Sequence, residues 1–359
     1  MYTVGIIGLG FLGGSLAKSL RKSEKVKEII ACDKNIDSLK QAQEEGIIAD
    51  YSLDINEKFE KCDFVFICTP VSFIADYAQK LDKIVNENCI ITDTGSTKKT
   101  ILEASKNLEK EFIGGHPMIG SERSGYSTSK ELLFENSYYI ITQSEKNKPE
   151  SVEKLKELIL EINAIPIIIE ANKHDYITAA ISHVPHVVAS TLVNMVKNLD
   201  DENETMKTLA AGGFKDITRI ASSDPTMWEN ICSENKKEIL KVLRNFKAII
   251  EEFELNISNH EETYDFFDSS KKYRDSFINK KINGNTMPEL NISVKDENGA
   301  IAHITTILSN NDIGIKNIEV LNNRENNYGA LRIIVRTYEE RDKGYDVLKS
   351  FGFEVKKVH

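Results

Sequence analysis

The sequence is poor in several features that would each assign a protein to a function class. Lys and Arg number 46 against 56 Asp and Glu, a formal net charge of -10. There is no cationic surplus from which to build a nucleic-acid-binding face. Cysteine is scarce, and the five present (Cys32, Cys62, Cys68, Cys89 and Cys232) form no CxxC pair. Their spacing argues against a structural zinc site. Four of them fall in or beside apolar, strand-like runs and read as reduced core thiols of a cytoplasmic protein. No apolar run approaches the roughly 20 residues of a membrane span, and MYTVGIIGLG lacks the basic start of a signal peptide. No membrane partner is therefore expected. No repeat or low-complexity tract interrupts the 359 residues, a length that implies two or three domains.

What is present is an α/β pattern with a break in it. Over residues 1–170 the runs TVGIIG, EIIACD, DFVFIC, CIITDT, EFIGG, SYYIIT and IPIIIE read as short strands, with helical patterns such as SFIADYAQKLDKIV between several of them. Near-continuous apolar strands joined by helices predict a mostly parallel, Rossmann-type sheet covered on both faces. Over 171–280 strand signals vanish and apolar residues recur at three and four, which predicts an all-helical domain. Residues 281–287, within NKKINGNTMP, read as a linker. From 288 to 359 alternation returns in the order βαββαβ, a small sheet with two helices.

Several motifs carry chemistry. Gly8-x-Gly10-x-x-Gly13 closes the first strand and opens a helix, so the backbone of Leu9, Phe11 and Leu12 should face a pyrophosphate. Asp33 ends the second strand, where an acid binds ribose hydroxyls and repels a 2′-phosphate. NAD is therefore expected over NADP, with Lys34 as the one contrary charge. Thr69 and Pro70 end a later strand where a nicotinamide ribose would pass. Ser96, in ITDTGSTKK, reads as a helix N-cap or as a site hydroxyl facing the crevice, two roles that can coexist. His116, in FIGGHPMIGSE, has turn formers for neighbours and is expected to face a cleft beside Ser96. His183 and His186, three apart in SHVPH, share a helix face and would contact substrate, or one of them would be a core residue. No acid or thiol follows at metal-ligand spacing. Gly212 and Gly213 break a helix before Asp216 and Arg219. An aspartate-held guanidinium there would suit a carboxylate. Asp224-Pro225 reads as an N-cap and first helical residue.

Taken together, GLGFLGGSLAKSL, DTGSTK, GHPMIGSE, SHVPH and DITRIASSDPTMW resemble the prephenate dehydrogenase family, in the family's order and over nearly the whole chain. The resemblance implies NAD-dependent oxidative decarboxylation of prephenate in tyrosine biosynthesis, although arogenate dehydrogenases share most of these motifs. It implies His116 as the base for the substrate hydroxyl and Ser96 as its orienting partner. It further implies Arg219, held by Asp216, on a carboxylate, with His186, His183 and the Gly212 backbone nearby. Glu122 would be a gating acid and Trp228 a pocket wall, contributed from a second subunit of a homodimer. An ordinary histidine pKa of about 6.5 would suit such a base. A β-hydroxyacid dehydrogenase would instead carry a helical-domain lysine, and a non-catalytic amino-acid sensor would not need the Ser96 and His116 pair. The tail around DENGAIAHITTIL resembles an ACT domain. That implies an L-tyrosine (or other aromatic amino acid) effector between the Asn298-Gly299 turn and the loop carrying Asn311 and Ile313.

Overall fold

The computed structural model describes every residue except 121–122, 260–261, 278–287, 296, 322–327 and 359. The expected linker and Glu122 lie outside the described residues. The chain divides into two compact units, Met1–Glu252 and Phe253–His359.

The first unit is organised by one sheet. Its strands are β1 (Tyr2–Ile7), β2 (Val26–Cys32), β3 (Asp50–Ser52), β4 (Phe64–Ile67), β5 (Ile90–Asp93), β6 (Glu111–Pro117), β7 (Tyr138–Thr142) and β8 (Ile165–Ile168), in spatial order β3-β2-β1-β4-β5-β6-β7-β8. All pairings are parallel except β6 with β7. Both faces are buried, as the unbroken apolar strands predict. One face packs Val4, Ile6, Phe64, Phe66 and Ile113, and the other Ile7, Ile30, Val65, Ile67 and Ile91. The three-residue β3 was not legible in the sequence. Nor was the continuation of the EFIGG strand through His116-Pro117. The expected loop is the end of β6, and His116 pairs with Ile140 and is only 8% exposed. The glycines permit this: a side chain at Gly114 would collide with Thr142, and one at Gly115 with the Asp93 carbonyl.

The sheet leads into the helices Ala171–Thr178 and Val184–Leu199, joined by a π-helical turn over Ala179–His183. Pro185 cannot donate the helical hydrogen bond, so the widened turn beside it is a place where the ladder can give. Shorter helices Gly212–Thr218 and Pro225–Glu234 follow, then Lys236–Ser258. Asp224 caps Pro225–Glu234 through Met227 N at 2.7 Å, as expected. The buried core here is small, centred on Ala179, Val184 and Ile239. Much apolar surface stays exposed, including Ile181 (62%), Leu199 (61%) and Leu209 (73%). Ala171–Leu199 is, among the described helices, long and apolar enough by composition to cross a membrane, with a mean hydropathy of 1.3. That corrects the expectation that no run approaches such a length.

The second unit contains β9 (Glu289–Lys295), β10 (Ile315–Leu321), β11 (Tyr328–Val335) and β12 (Glu354–Val358) in antiparallel order β10-β11-β9-β12. Helices Ala300–Ser309 and Tyr338–Ser350 share its core through Ile304, Leu308 and Leu348. The βαββαβ order is as expected. The loop after Ser309 is not. The amides of Asn311 and Ile313 both bond to Leu308 O, at 3.1 and 3.0 Å, and the Asn311 carbonyl accepts from Lys343 at 2.6 Å. The Ile313 side chain is 3% exposed in the core. Helix termination uses the groups that were expected to face a ligand.

At the carboxyl end of β5 the wholly buried Asp93 pairs with the equally buried Lys98. Asp93 also accepts from Gly95 N at 2.8 Å and Gly115 N at 3.0 Å, so one carboxylate joins the ends of β5 and β6. Removing one partner strands the other charge in the interior. Lys98→Met should lower the unfolding free energy by about 3–5 kcal/mol in urea titrations. A loss below about 1 kcal/mol would mean that the pair behaves like a surface ion pair.

Candidate active site

The glycine loop is shaped for a dinucleotide. Gly8 has φ +93°, which favours glycine, and a side chain at Gly13 would collide with the Gly8 carbonyl. At Gly10, by contrast, an added Cβ would meet nothing within 4 Å, which leaves the backbone open to a ligand. The helix Phe11–Leu20 starts there with no acidic residue in its first turn. The amides around Phe11 and Leu12 thus face open space at the positive end of a helix. The Leu9 side chain packs in the core, and its amide donates to Asp33 Oδ2 at 2.6 Å; Asn35 N donates to Oδ1 at 2.8 Å. Asp33 is thereby fixed at the end of β2. Thr69 lies against Gly8 and its buried hydroxyl has no partner, while the exposed Pro70 begins the helix Val71–Asp82. These residues fit NAD: glycines where the phosphates must approach, an acid at the ribose position, and an unused hydroxyl between.

Beyond Gly115 lies a chain of buried rings. His116 Nδ1 is 2.8 Å from His174 Nε2, and His174 Nδ1 is 2.7 Å from Asp175 Oδ1. A carboxylate only accepts, so His174 donates from Nδ1 and presents a bare Nε2. His116 must then donate from its own Nδ1, which leaves His116 Nε2 as the unprotonated atom. Burial, then the neighbouring His174, Lys98 and His183, holds the His116 imidazole well below the usual histidine range. The expected ordinary pKa is thus corrected. The ring is neutral because a charge there would be desolvated among cationic neighbours.

Asp175 also receives Lys98 N at 2.8 Å and Lys99 N at 3.0 Å. These amides begin the helix Lys99–Ala104, which a local cap would otherwise satisfy. Ser96 does not cap that helix. Of its two readings, the cap is excluded, and the half-buried hydroxyl is left for the site.

His183 and His186 occupy one helical face but differ in state. Asn235 Nδ2 lies 3.1 Å from His183 Nδ1, which places the proton of that ring on Nε2, a buried atom with no partner. Burial lowers the His183 pKa to about 4. His186 donates Nδ1–H to Ser182 O at 3.0 Å and stacks on Trp228 with ring centroids 3.8 Å apart. Burial and the nearby Arg219 charge also keep it low. Trp228 meets His183 edge-on at 6.0 Å, and its buried indole N–H likewise lacks a partner. This tryptophan thus packs on its own chain's histidines. A cleft of about 430 Å³ opens beside it, walled by His186, Ser190, Ile220 and Cys232. His116 is not in that wall.

Asp216 does not hold Arg219: no hydrogen bond or ion pair joins them among the described residues. Both side chains are exposed, where such a pair gains little against water. Gly212 opens the helix Gly212–Thr218 with free space where a side chain would be.

Comparison with known proteins bears on the family and the fold. The family described as "Prephenate dehydrogenase, nucleotide-binding domain" matches residues 16–168, and "Prephenate dehydrogenase, dimerization domain" matches 170–270. The prephenate dehydrogenase of Bacillus subtilis (strain 168) is 34% identical over 355 residues, covering 97% of this chain and 96% of that protein. The chain belongs to the prephenate dehydrogenase family. Among solved members, the Aquifex aeolicus enzyme in complex with hydroxyphenyl propionate and NAD⁺ is 33% identical, with a TM-score of 0.73, over 77% of this chain and 98% of that one. Synechocystis arogenate dehydrogenase is 26% identical, with a TM-score of 0.69, over 77% and 99%.

His174, Asp175 and Asn235 were missed in the sequence. In NKHDYI the first two carry no site motif, and only contacts 58 to 77 residues away reveal them. With these imidazoles buried neutral, acid should destabilise the fold. The folded pKa of His183 is about 4, below an unfolded value of about 6.5. Its contribution is therefore complete above pH 6.5 and lost as pH falls towards 4, on the order of 3 kcal/mol. Urea unfolding at pH 7.5 and 4.5 should show a smaller difference for His183→Asn than for the wild type. Equal differences would remove His183 from the acid sensitivity.

Proposed function

We propose that the protein is an NAD-dependent prephenate dehydrogenase, converting prephenate to 4-hydroxyphenylpyruvate and CO₂ in tyrosine biosynthesis. The observation that carries this reading is His116: a neutral base at the carboxyl end of the sheet, its bare Nε2 fixed by two hydrogen bonds in series. Bound NAD⁺ supplies the hydride acceptor. Gly8, Gly10, Gly13, Asp33 and Thr69 would hold it. His116 Nε2 accepts the hydroxyl proton of the substrate, which helps C4 lose hydride as the C–O bond becomes a carbonyl. Ser96, free of the helix cap, orients that hydroxyl. The unpartnered N–H groups of His183 and Trp228 and the Arg219 guanidinium are the donors for the carboxylates of the substrate. His186 presents a lone pair at Nε2, so it donates to a carboxylate only when protonated. Glu122 and the Gly212 backbone complete the proposed site, and Asp216 has no supporting contact.

The exposed apolar residues of Ala171–Leu199 suit a partner subunit, and the family name of this region is a dimerization domain. A cytoplasmic homodimer is the proposed form. The tail is proposed as an ACT-type regulatory unit for L-tyrosine. Its support is the Asn298-Gly299 turn, where Gly299 has φ +89° and open space about its Cα. Asn311 and Ile313 are withdrawn as ligand contacts.

His116→Asn should lower kcat by about 10²–10⁴-fold with prephenate affinity retained, measured by NADH formation. Retained rate would move the base elsewhere. Parallel assays with arogenate decide between the two substrates of the family. Tyrosine should inhibit the full chain, and a chain ended after Asn285 should lose that inhibition while keeping catalysis. Inhibition that survives truncation would place tyrosine in the active site.

A further inference from the structure

The overall conversion releases no proton. Hydride leaves C4, CO₂ leaves C1, and the oxygen that gave up its proton as an alcohol ends as a phenol. A proton must therefore come back to that oxygen at the end, and a group that keeps the first one meanwhile can supply it without exchange with solvent.

The structure makes His116 a poor place to hold it. The ring is 8% exposed, and the charged or titratable groups facing it are Lys98 from the loop after β5, His183 from the π-helical turn and His174. None is an acid. His174 faces Asp175 at 2.7 Å; burial and then Lys98 still hold its pKa below the usual histidine range, but Asp175 and Asp93 oppose them, a carboxylate support that His116 lacks among the described residues. The polarity already described provides the path: His116 Nδ1–H points at the bare Nε2 of His174.

We propose that His174, gripped by Asp175, holds the hydroxyl proton of the substrate during turnover, with His116 as the group that passes it in both directions. In the forward step the substrate oxygen gives its proton to His116 Nε2, and His116 Nδ1 gives its own to His174 Nε2. His116 stays neutral as the other tautomer, and His174 becomes an imidazolium against the Asp175 carboxylate. When the C1–CO₂ bond breaks and its electron pair makes the ring aromatic, the phenolate oxygen takes the proton back along the same path. His174 is a positioning residue that touches no substrate, and His116 remains the catalytic base.

The proposal rests on the dehydrogenase reading, and its test separates the two. His174→Gln keeps an acceptor for His116 Nδ1–H but cannot take a proton. In the full-length enzyme it should lower kcat by about 10²-fold, the low end for acid–base catalysis, with an unchanged KM for prephenate and an unchanged melting temperature. Rates in H₂O/D₂O mixtures should give a bowed proton inventory for the wild type, with two protons in transit, and a straight line for the variant. A variant with wild-type kcat, a loss carried by KM or melting temperature, or a bowed inventory in both proteins would overturn the relay. Nitrogen-15 NMR of the wild type gives an arm without turnover: both His116 and His174 should be neutral with the proton on Nδ1. A proton on His174 Nε2 would overturn the proposal even in a protein inactive on prephenate, and such inactivity would by itself defeat only the dehydrogenase reading.

Discussion

A carboxylate buried to 3% exposure must find several donors or become neutral, and the way Asp175 meets that demand sets the geometry around it. Its donors are Lys98 N, Lys99 N and His174 Nδ1. The first two belong to the loop that carries Ser96, and the third fixes the ring behind His116. Asn235 then donates to the Asp175 carbonyl at 2.8 Å and reaches His183 with the same amide nitrogen. Helix start, base tautomer and second histidine are thus set from one helical position. Because the hydrogen bonds are directional and in series, a shift of that helix would misplace the bare nitrogen rather than merely weaken a contact.

The local parts of this arrangement were legible in the sequence. A glycine motif between strand and helix is a local constraint, and Gly8, Gly10 and Gly13 occupy the three situations it demands: positive φ, open approach and close packing. Asp224-Pro225 as cap and first turn is equally local. The parts that depend on distant pairing were not legible. His116 read as a loop residue because its neighbours are turn formers. Those glycines are required instead by Thr142 across the antiparallel β6–β7 pairing and by the Asp93 carbonyl on β5. Asp216 and Arg219 show the opposite error, a spacing that invites an ion pair where exposure leaves little to gain from one. In the tail, a polar loop promised free amides, but termination of a buried helix had the prior claim on them.

The charge balance of the site follows from burial more than from composition. The chain is acidic overall, yet the rings at the proposed site are neutral, since each lies where an imidazolium would be desolvated. The fully buried Lys98 beside them is matched by Asp93. A dianionic substrate would therefore meet donors rather than fixed charges, apart from the Arg219 guanidinium. That arrangement suits a reaction whose chemistry creates and removes charge at one oxygen. A permanent imidazolium at His116 could not take the proton of the starting alcohol. A neutral ring backed by a second ring and a carboxylate favours neither end, and the same group can act as base at the first step and as acid at the last.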